Sequence, residues 1–223
     1  MGELNLRNSS KTLQIILKIP GNGCNIDCEY CFEKEKRVSH EFFKPDLLDR
    51  IINKVDNNIV ITFHGGEPLL IGKKRFIDLL EVIRQKPDKV DGVFIQSNGI
   101  LLDEEWVDIL YRQYKDLNIE MSLSLDGSES MNQLRVDYDG HGTFQRVIDS
   151  YELLYKHGIK AGLLSVISKK SLDKVSEYVN LLSLIPNISF VKLNALFNVK
   201  ENKLTADSIT PSQYANFIIE VSK

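Results

Sequence analysis

The sequence predicts an α/β protein that folds as a partial (β/α)6 barrel of the TIM type, and three observations lead to this prediction. Short β-rich runs alternate with longer amphipathic runs, which is the pattern of a parallel sheet covered by helices. The chain has 223 residues, whereas a complete eight-unit barrel takes about 250. No low-complexity linker or internal repeat interrupts the alternation. We therefore expect one core domain over residues 1–223.

Six runs are predicted to be strands because they are short, rich in β-branched and aromatic residues, and bounded by turn-forming residues. They are Leu13–Ile19, Ile59–Phe63, Gly92–Gln96, Ile119–Leu125, Ala161–Ile167 and Ser189–Leu193. Helical periodicity predicts five intervening helices. These are Pro45–Lys54, Lys73–Arg84, Glu104–Tyr114, Thr143–His157 and Leu172–Leu184. Gly158 is expected to end the fourth helix, and Thr210-Pro211 to open a further helix near the C-terminus.

Composition and net charge limit the classes of ligand that the protein is expected to bind. The chain is 43% hydrophobic and 26% charged, and its net charge is −3. Such a charge gives no cationic field that would favour nucleic acid or an anionic membrane as the main partner. The N-terminus has no basic segment followed by an apolar one, and no run approaches the roughly 18 apolar residues of a membrane span. A cytoplasmic protein with a small or peptidic ligand is therefore expected.

All three cysteines of the chain, Cys24, Cys28 and Cys31, lie in one glycine-containing loop after the first strand. This odd, clustered set indicates metal or redox chemistry rather than a disulfide framework. Three thiolates can hold one face of a [4Fe–4S] cube, which normally takes four cysteines, and leave one iron open. Two alternatives remain: structural zinc with His40 as a fourth ligand, and inert buried cysteines.

The segment from Cys24 to Cys31, CNIDCEYC, resembles the C-x3-C-x-aromatic-C signature of the radical S-adenosylmethionine (AdoMet), or radical SAM, superfamily. The resemblance implies that the three cysteines bind a [4Fe–4S] cluster whose fourth iron is chelated by the AdoMet amino and carboxylate groups. Reductive cleavage of AdoMet would then release a 5′-deoxyadenosyl radical. Tyr30, at the aromatic position, would lie beside the cluster and the adenine, or would only pack the loop.

The second strand leads directly into His64-Gly65-Gly66-Glu67-Pro68. Paired glycines let a ligand approach the backbone closely, and proline fixes the following turn. The exposed carbonyl groups and the Glu67 carboxylate can hold an ammonium group. In this position the run resembles the GGEP motif of the same superfamily, which implies binding of the methionine amino group. The role of His64 is left open between packing, a supporting hydrogen bond and chemistry.

Polar residues follow the later strands, where the carboxyl ends of a parallel sheet collect reactive groups. Because strand side chains alternate, Ser122, Ser124 and Asp126 share one face, and a lumen lined by them suits a ligand with ribose and carboxylate groups. The alternative is that Asp126 lies in an ordinary turn and that the serines form only local hydrogen bonds. The expected cofactor-binding set is completed by Gln96 after the third strand, Arg135, Ser168 after the fifth strand and Asn194 after the sixth.

The run GHGTF, from Gly140 to Phe144, extends the resemblance to radical SAM peptide and protein maturases. Arg135 can clamp the methionine carboxylate through paired hydrogen bonds, or form only a surface ion pair. Thr143 is expected to cap the helix that follows with its hydroxyl.

The match, from HGGEPLL through SLSLDG to GHGTF, is closest to anaerobic sulfatase-maturating enzymes and SPASM peptide maturases. Those enzymes usually continue into a cysteine-rich C-terminal domain, so the chain is expected to lack that domain and to be a fragment of a longer enzyme. The resemblance implies a peptide or protein substrate and a reducing donor such as flavodoxin or ferredoxin. A radical SAM enzyme for small molecules and a cluster-bearing electron-transfer module without AdoMet chemistry remain alternatives.

Overall fold

The computed structural model of the protein describes residues 12–33, 42–200 and 203–223. Six strands form one entirely parallel sheet in the order β1 to β6, so each strand pairs with its neighbours along the chain and β1 and β6 are its edges. The strands are β1 Leu13–Leu17, β2 Ile59–Phe63, β3 Val90–Ser97, β4 Ile119–Ser124, β5 Ala161–Ile167 and β6 Ile188–Ala195. The predicted partial barrel is confirmed, with strand limits shifted by two residues or fewer.

Helices connect successive strands in the right place for parallel crossovers. They are α1 Pro45–Lys54, α2 Lys73–Arg84, α3 Glu104–Asp108, α4 Phe144–Lys156, α5 Val175–Leu184 and, after β6, α6 Pro211–Val221. A short antiparallel pair, β7 Val199–Lys200 and β8 Lys203–Leu204, lies between β6 and α6. Thr210 and Gln213 form a reciprocal capping box at the start of α6, which confirms the predicted helix start. No helix among the described residues combines the length and apolarity needed to cross a membrane.

The core lies between the sheet and its helices. Every second residue of a strand faces this layer, and Ile59, Ile61 and Phe63 of β2 are fully buried in it. Leu123 and Leu125 are likewise fully buried, whereas Ser122 and Ser124 are half-buried on the opposite face. The predicted alternation of β4 is therefore confirmed.

Three helix predictions need correction. The third helix is α-helical only to Asp108 and continues as a π-helical turn over Ile109–Gln113, closed by a bond from Tyr114 N to Ile109 O. The fifth helix begins at Val175, because Ser168 and Ser171 cap a separate 3-10 turn before it. Thr143 precedes α4 but does not cap it, since its hydroxyl donates to the carbonyl of Arg135 at 3.0 Å.

Candidate functional site

One cavity opens at the carboxyl end of the sheet, beside the loop that follows β1. All three cysteines line it together with residues from the ends of β2, β3 and β4 and from the loop after β4. Among the predicted site residues, its wall includes Tyr30, Gly65, Gly66, Gln96, Ser124 and Arg135. The topology thus brings most of the predicted set to one place, as expected for a parallel sheet.

The cysteine loop is held against the segment after β4 by backbone hydrogen bonds. Asp27 N donates to Val136 O and Glu29 N donates to Leu134 O, both at 2.8 Å. All three cysteines are free thiols. Burial raises the pKa of the Cys24 thiol to about 11 and also raises the pKa of Cys28. Without a metal these two sulfurs are protonated at neutral pH, and metal binding would displace their protons.

The spacing of the sulfur atoms tests which metal group the loop fits. A single zinc ion with Zn–S bonds of about 2.3 Å brings its sulfur ligands to about 3.8 Å from one another. Among the described residues, the three cysteine sulfurs do not form a group whose members all lie within 4.8 Å of each other. His40, the fourth ligand considered for zinc, lies outside the described residues. A set of three cysteines fits a cluster with one sulfur on each of three irons and a fourth iron without a protein ligand.

The GGEP loop packs directly on the cysteine loop. Gly65 and Gly66 have φ values of +84° and +56°, in the region that favours glycine. A Cβ atom on Gly66 would lie 2.1 Å from the carbonyl oxygen of Gly23, so no side chain fits there. Glu67 N donates to that same oxygen at 2.8 Å, and Pro68 then starts the 3-10 turn Pro68–Ile71. The glycines therefore permit close approach between two protein loops, in addition to any approach of a ligand.

The carboxylate of Glu67 is fully buried and occupied by protein donors. Its Oε1 accepts hydrogen bonds from Leu69 N at 3.1 Å and Ser97 Oγ at 2.8 Å, and its Oε2 accepts one from Asn98 N at 2.7 Å. Burial raises the pKa of Glu67, against the hydrogen bonds from Asn98 and Leu69, which lower it. In this geometry the Glu67 carboxylate links the GGEP loop to the end of β3.

Half-buried Tyr30 of the cysteine loop forms a polar chain with the buried residues Asp126 and Arg135. The Tyr30 hydroxyl donates a hydrogen bond to Asp126 Oδ2 at 2.8 Å and accepts one from Arg135 Nη1 at 2.8 Å. Asp126 Oδ1 also accepts from Val166 N at 3.0 Å. Burial raises the pKa of Asp126, whereas the Arg135 charge lowers it. Asp126 is therefore committed to protein partners.

Arg135 keeps a donor that no other described residue uses. Its Nε atom is buried and has no hydrogen-bond partner in the described part of the chain. Arg135 is 6% exposed and lines the cavity. A buried guanidinium with an unused donor beside the cysteines is suited to an anionic group such as a carboxylate.

The weaker predicted positions separate into two groups. Gln96 and Ser124 line the cavity, and Ser122 lies one step further from the carboxyl end on the same face of β4. Ser168 is 2% exposed, and its hydroxyl accepts from Lys170 N at 3.2 Å within its own turn. Asn194 lies on the edge strand β6, opposite Val166 of β5. Ser168 and Asn194 are not among the residues that line the cavity.

Sequence reasoning missed Asn98 as a site residue. Asn98 lines the cavity, and its side-chain nitrogen lies 3.7 Å from the Cys24 sulfur. His64, directly after β2, also lines the cavity. Burial lowers the pKa of His64, and the charges of Lys18 and Lys192 lower it further. The only available signal for Asn98 was its position directly after a strand that leads to the carboxyl edge.

The sequence of the chain matches a family model and several known proteins. A family model described as the radical SAM superfamily matches residues 18–182. The cysteine-type anaerobic sulfatase-maturating enzyme of Clostridium novyi (strain NT) is 26% identical over 183 residues, which cover 75% of this chain and 48% of that enzyme. The serine-type enzyme of Bacteroides thetaiotaomicron is 25% identical over 240 residues, covering 95% of this chain and 57% of that enzyme.

The fold of the chain also resembles solved structures. The structure described as native anSMEcpe with bound AdoMet and Cp18Cys peptide has a TM-score of 0.80 and 26% identity, covering 93% of this chain and 58% of that one. Streptococcus suis SuiB bound to its precursor peptide SuiA has a TM-score of 0.70 at 20% identity, covering 96% of this chain and 46% of that one, and it shares the fold. The chain thus spans about half the length of the relatives that it matches. Because the family model covers most of the chain and its three cysteines, the protein belongs to the radical SAM superfamily, enzymes that bind a [4Fe–4S] cluster and AdoMet.

Proposed function

We propose that this chain cleaves AdoMet reductively at a [4Fe–4S] cluster held by Cys24, Cys28 and Cys31. The observation that carries the proposal is that the only three cysteines of the chain line one cavity together with Arg135, whose buried Nε has no partner among the described residues. When bound, the cluster and AdoMet would supply electron transfer to the sulfonium and a 5′-deoxyadenosyl radical. The protein would bind, orient and shield these groups.

Different residues around the cysteines would bind different groups of AdoMet. The backbone carbonyl groups of Gly65 and Gly66 would accept hydrogen bonds from the methionine ammonium group. The Arg135 guanidinium would bind the methionine carboxylate with the donors that Tyr30 does not use. Glu67 would act indirectly, because its carboxylate is buried and already accepts three protein hydrogen bonds.

The remaining predicted residues receive narrower roles. Tyr30 would form a wall of the cofactor site, with its hydroxyl fixed between Asp126 and Arg135. Gln96, Ser124 and Ser122 would offer polar groups to the ribose from the lumen side of β3 and β4. Ser168 and Asn194 are left out of the proposed site, since the Ser168 hydroxyl is used in its own turn and neither residue lines the cavity.

A peptide or protein is the proposed substrate. Support comes from the relatives, which are named sulfatase-maturating enzymes, and from the anSMEcpe structure with its Cp18Cys peptide. The cluster would take its electron from a low-potential donor such as flavodoxin or ferredoxin. A cytoplasmic location belongs to this proposal, because reducing conditions keep the three thiols free for the cluster.

The direct test is formation of 5′-deoxyadenosine and methionine by the anaerobically reconstituted protein under a strong reductant. Equal amounts of both products are expected from the parent protein, and none from Cys28→Ala. Adding the Cp18Cys peptide would then ask whether a peptide accelerates turnover. A parent protein that carries a full cluster but releases no 5′-deoxyadenosine would contradict the proposed function.

A further inference from the structure

We propose that the side-chain amide of Asn98 donates an N–H···S hydrogen bond to the sulfur of Cys24 and raises the reduction potential of the bound cluster. This inference rests on the proposed function, because it needs a cluster at the three cysteines. Asn98 directly follows β3 and is 6% exposed. Its Nδ2 atom lies 3.7 Å from the Cys24 sulfur, within hydrogen-bonding distance for a sulfur acceptor.

The orientation of this amide is fixed by its other contacts. Its Oδ1 atom accepts a hydrogen bond from Ile100 N at 3.0 Å, and its Nδ2 atom donates to Asn25 Oδ1 at 2.7 Å. An amide nitrogen carries two hydrogens, so one can bond Asn25 while the other points to Cys24. Turning the amide over would lose the bonds to both Ile100 and Asn25. The NH2 group therefore faces the cysteine loop.

Glu67 fixes the backbone from which this amide extends. The Glu67 carboxylate accepts Asn98 N–H at 2.7 Å and the Ser97 hydroxyl at 2.8 Å. Because Glu67 also begins the turn that packs on the cysteine loop, it sets the distance between the end of β3 and Cys24. Glu67 is thus a positioning residue, and Asn98 is the residue that touches a cluster ligand.

The direction of the expected change in reduction potential follows from the negative charge of the reduced cluster. One-electron reduction adds negative charge to the cluster and its thiolate ligands, so a donor to a ligand sulfur stabilises the reduced form more than the oxidised form. A low-potential donor such as flavodoxin or ferredoxin supplies the electron. Loss of the N–H···S bond should lower the equilibrium constant for this reduction about tenfold, which is about 59 mV for one electron.

The test is an anaerobic potentiometric titration of the cluster, followed by EPR, in variants with measured iron and sulfide. Asn98→Ala removes the donor and is the deciding variant. Asn98→Asp keeps the size and the acceptor for Ile100 but adds a negative charge, so its potential should fall further than that of Asn98→Ala. Both should reduce at lower potential than the parent. Ser150→Ala removes a hydrogen bond to the carbonyl of Gly99, the residue after Asn98, without touching Glu67 or the cavity wall, so its potential should stay at the parental value.

An unchanged potential in loaded Asn98→Ala would overturn the proposal. An equal drop in Ser150→Ala would also overturn it, since the effect would then come from general loosening of the strand end. If neither Asn98 variant holds a cluster, a measurement on the parent protein tests the hydrogen bond instead. Parent protein labelled with 15N in its asparagine side chains should show nitrogen coupling to the reduced cluster in pulsed EPR, and its absence would reject the bond. A parent that holds no cluster would instead reject the proposed function.

Discussion

Two regions of the sheet differ in how their polar residues are used. At the carboxyl ends of β1 to β4, buried side chains bind across long sequence distances, as Glu67 does to Ser97 and Tyr30 does to Asp126. After β5 and β6, polar residues bind mainly within their own turns, as Ser168 does to Lys170. The first region is connected by such long-range bonds. The second region contacts it at several points, among them Val166 N to Asp126 Oδ1 at 3.0 Å and Asn198 Nδ2 to the carbonyl of Tyr30 at 3.1 Å.

Burial differs between a central strand and an edge strand of the sheet. Ile59, Ile61 and Phe63 on the helix-facing side of β2 are fully buried, whereas Phe190 and Val191 on β6 are about 40% exposed. The other edge strand, β1, is similar, since Leu13 and Ile16 are 48% and 60% exposed. Exposure therefore marks both edges of the sheet, and the two regions differ in their hydrogen bonds rather than in their burial.

The largest effect is expected for the cysteines. Replacing Cys24, Cys28 or Cys31 with alanine should abolish the [4Fe–4S] cluster, because no other thiolate exists in the chain to take its place. Iron and sulfide analysis after anaerobic reconstitution measures this, with Ser168→Ala as a matched variant of the second region that should load fully. A cysteine variant that retains a full cluster would show that the loop is not the binding site.

A second prediction compares two glycines with positive φ. Gly66→Ala places its Cβ against the Gly23 carbonyl, whereas a Cβ at Gly158 meets nothing within 4 Å. The left-handed backbone alone costs about 1–2 kcal/mol, and overpacking at Gly66 adds about 1–3 kcal/mol. Urea denaturation should therefore show the larger loss for Gly66→Ala. Equal losses would mean that the two loops are not in close contact.

A third prediction concerns the Glu67 carboxylate. Glu67→Gln replaces one acceptor oxygen with an NH2 group, so at least one of its buried donors loses its partner, at a cost of about 1–3 kcal/mol in the free energy of unfolding. Glu152→Gln, the same change on an exposed position of α4, should stay within about 0.5 kcal/mol of the parent. Similar values for the two variants would refute the role given to Glu67.

The smallest effect is expected at His64, which faces the cavity from the first region while Lys192 acts on it from β6. The pKa of His64 lies below its usual 6.5 because of burial and the charges of Lys18 and Lys192. The unfolded chain therefore binds this proton first, so the free energy of unfolding decreases as pH falls from 6.5 through the folded pKa. NMR titration should give a higher His64 pKa in Lys192→Gln, and no change would place Lys192 away from the site.

The sequence predicted the parts of the site whose signal is local. The cysteine spacing and the GGEP run are contiguous, and the strand and helix periods placed them at the carboxyl edge. The roles of Asp126 and Asn98 were not predictable, because Asp126 is fixed by Tyr30, 96 positions away, and Asn98 contacts Cys24, 74 positions away. The hydrogen bond from Lys170 N to the Ser168 hydroxyl was not predictable either, because a capped turn and a ligand-facing hydroxyl look alike in sequence.

The most direct measurement is the EPR spectrum of the reduced cluster with and without AdoMet. If the ends of β1 to β4 hold both groups, AdoMet should change the spectrum of the parent, because its amino and carboxylate groups would occupy the open iron. Asn194→Ala, from the second region, should respond as the parent does, and Arg135→Ala should respond more weakly at the same AdoMet concentration. A fully loaded parent whose spectrum is identical with and without AdoMet would contradict the account.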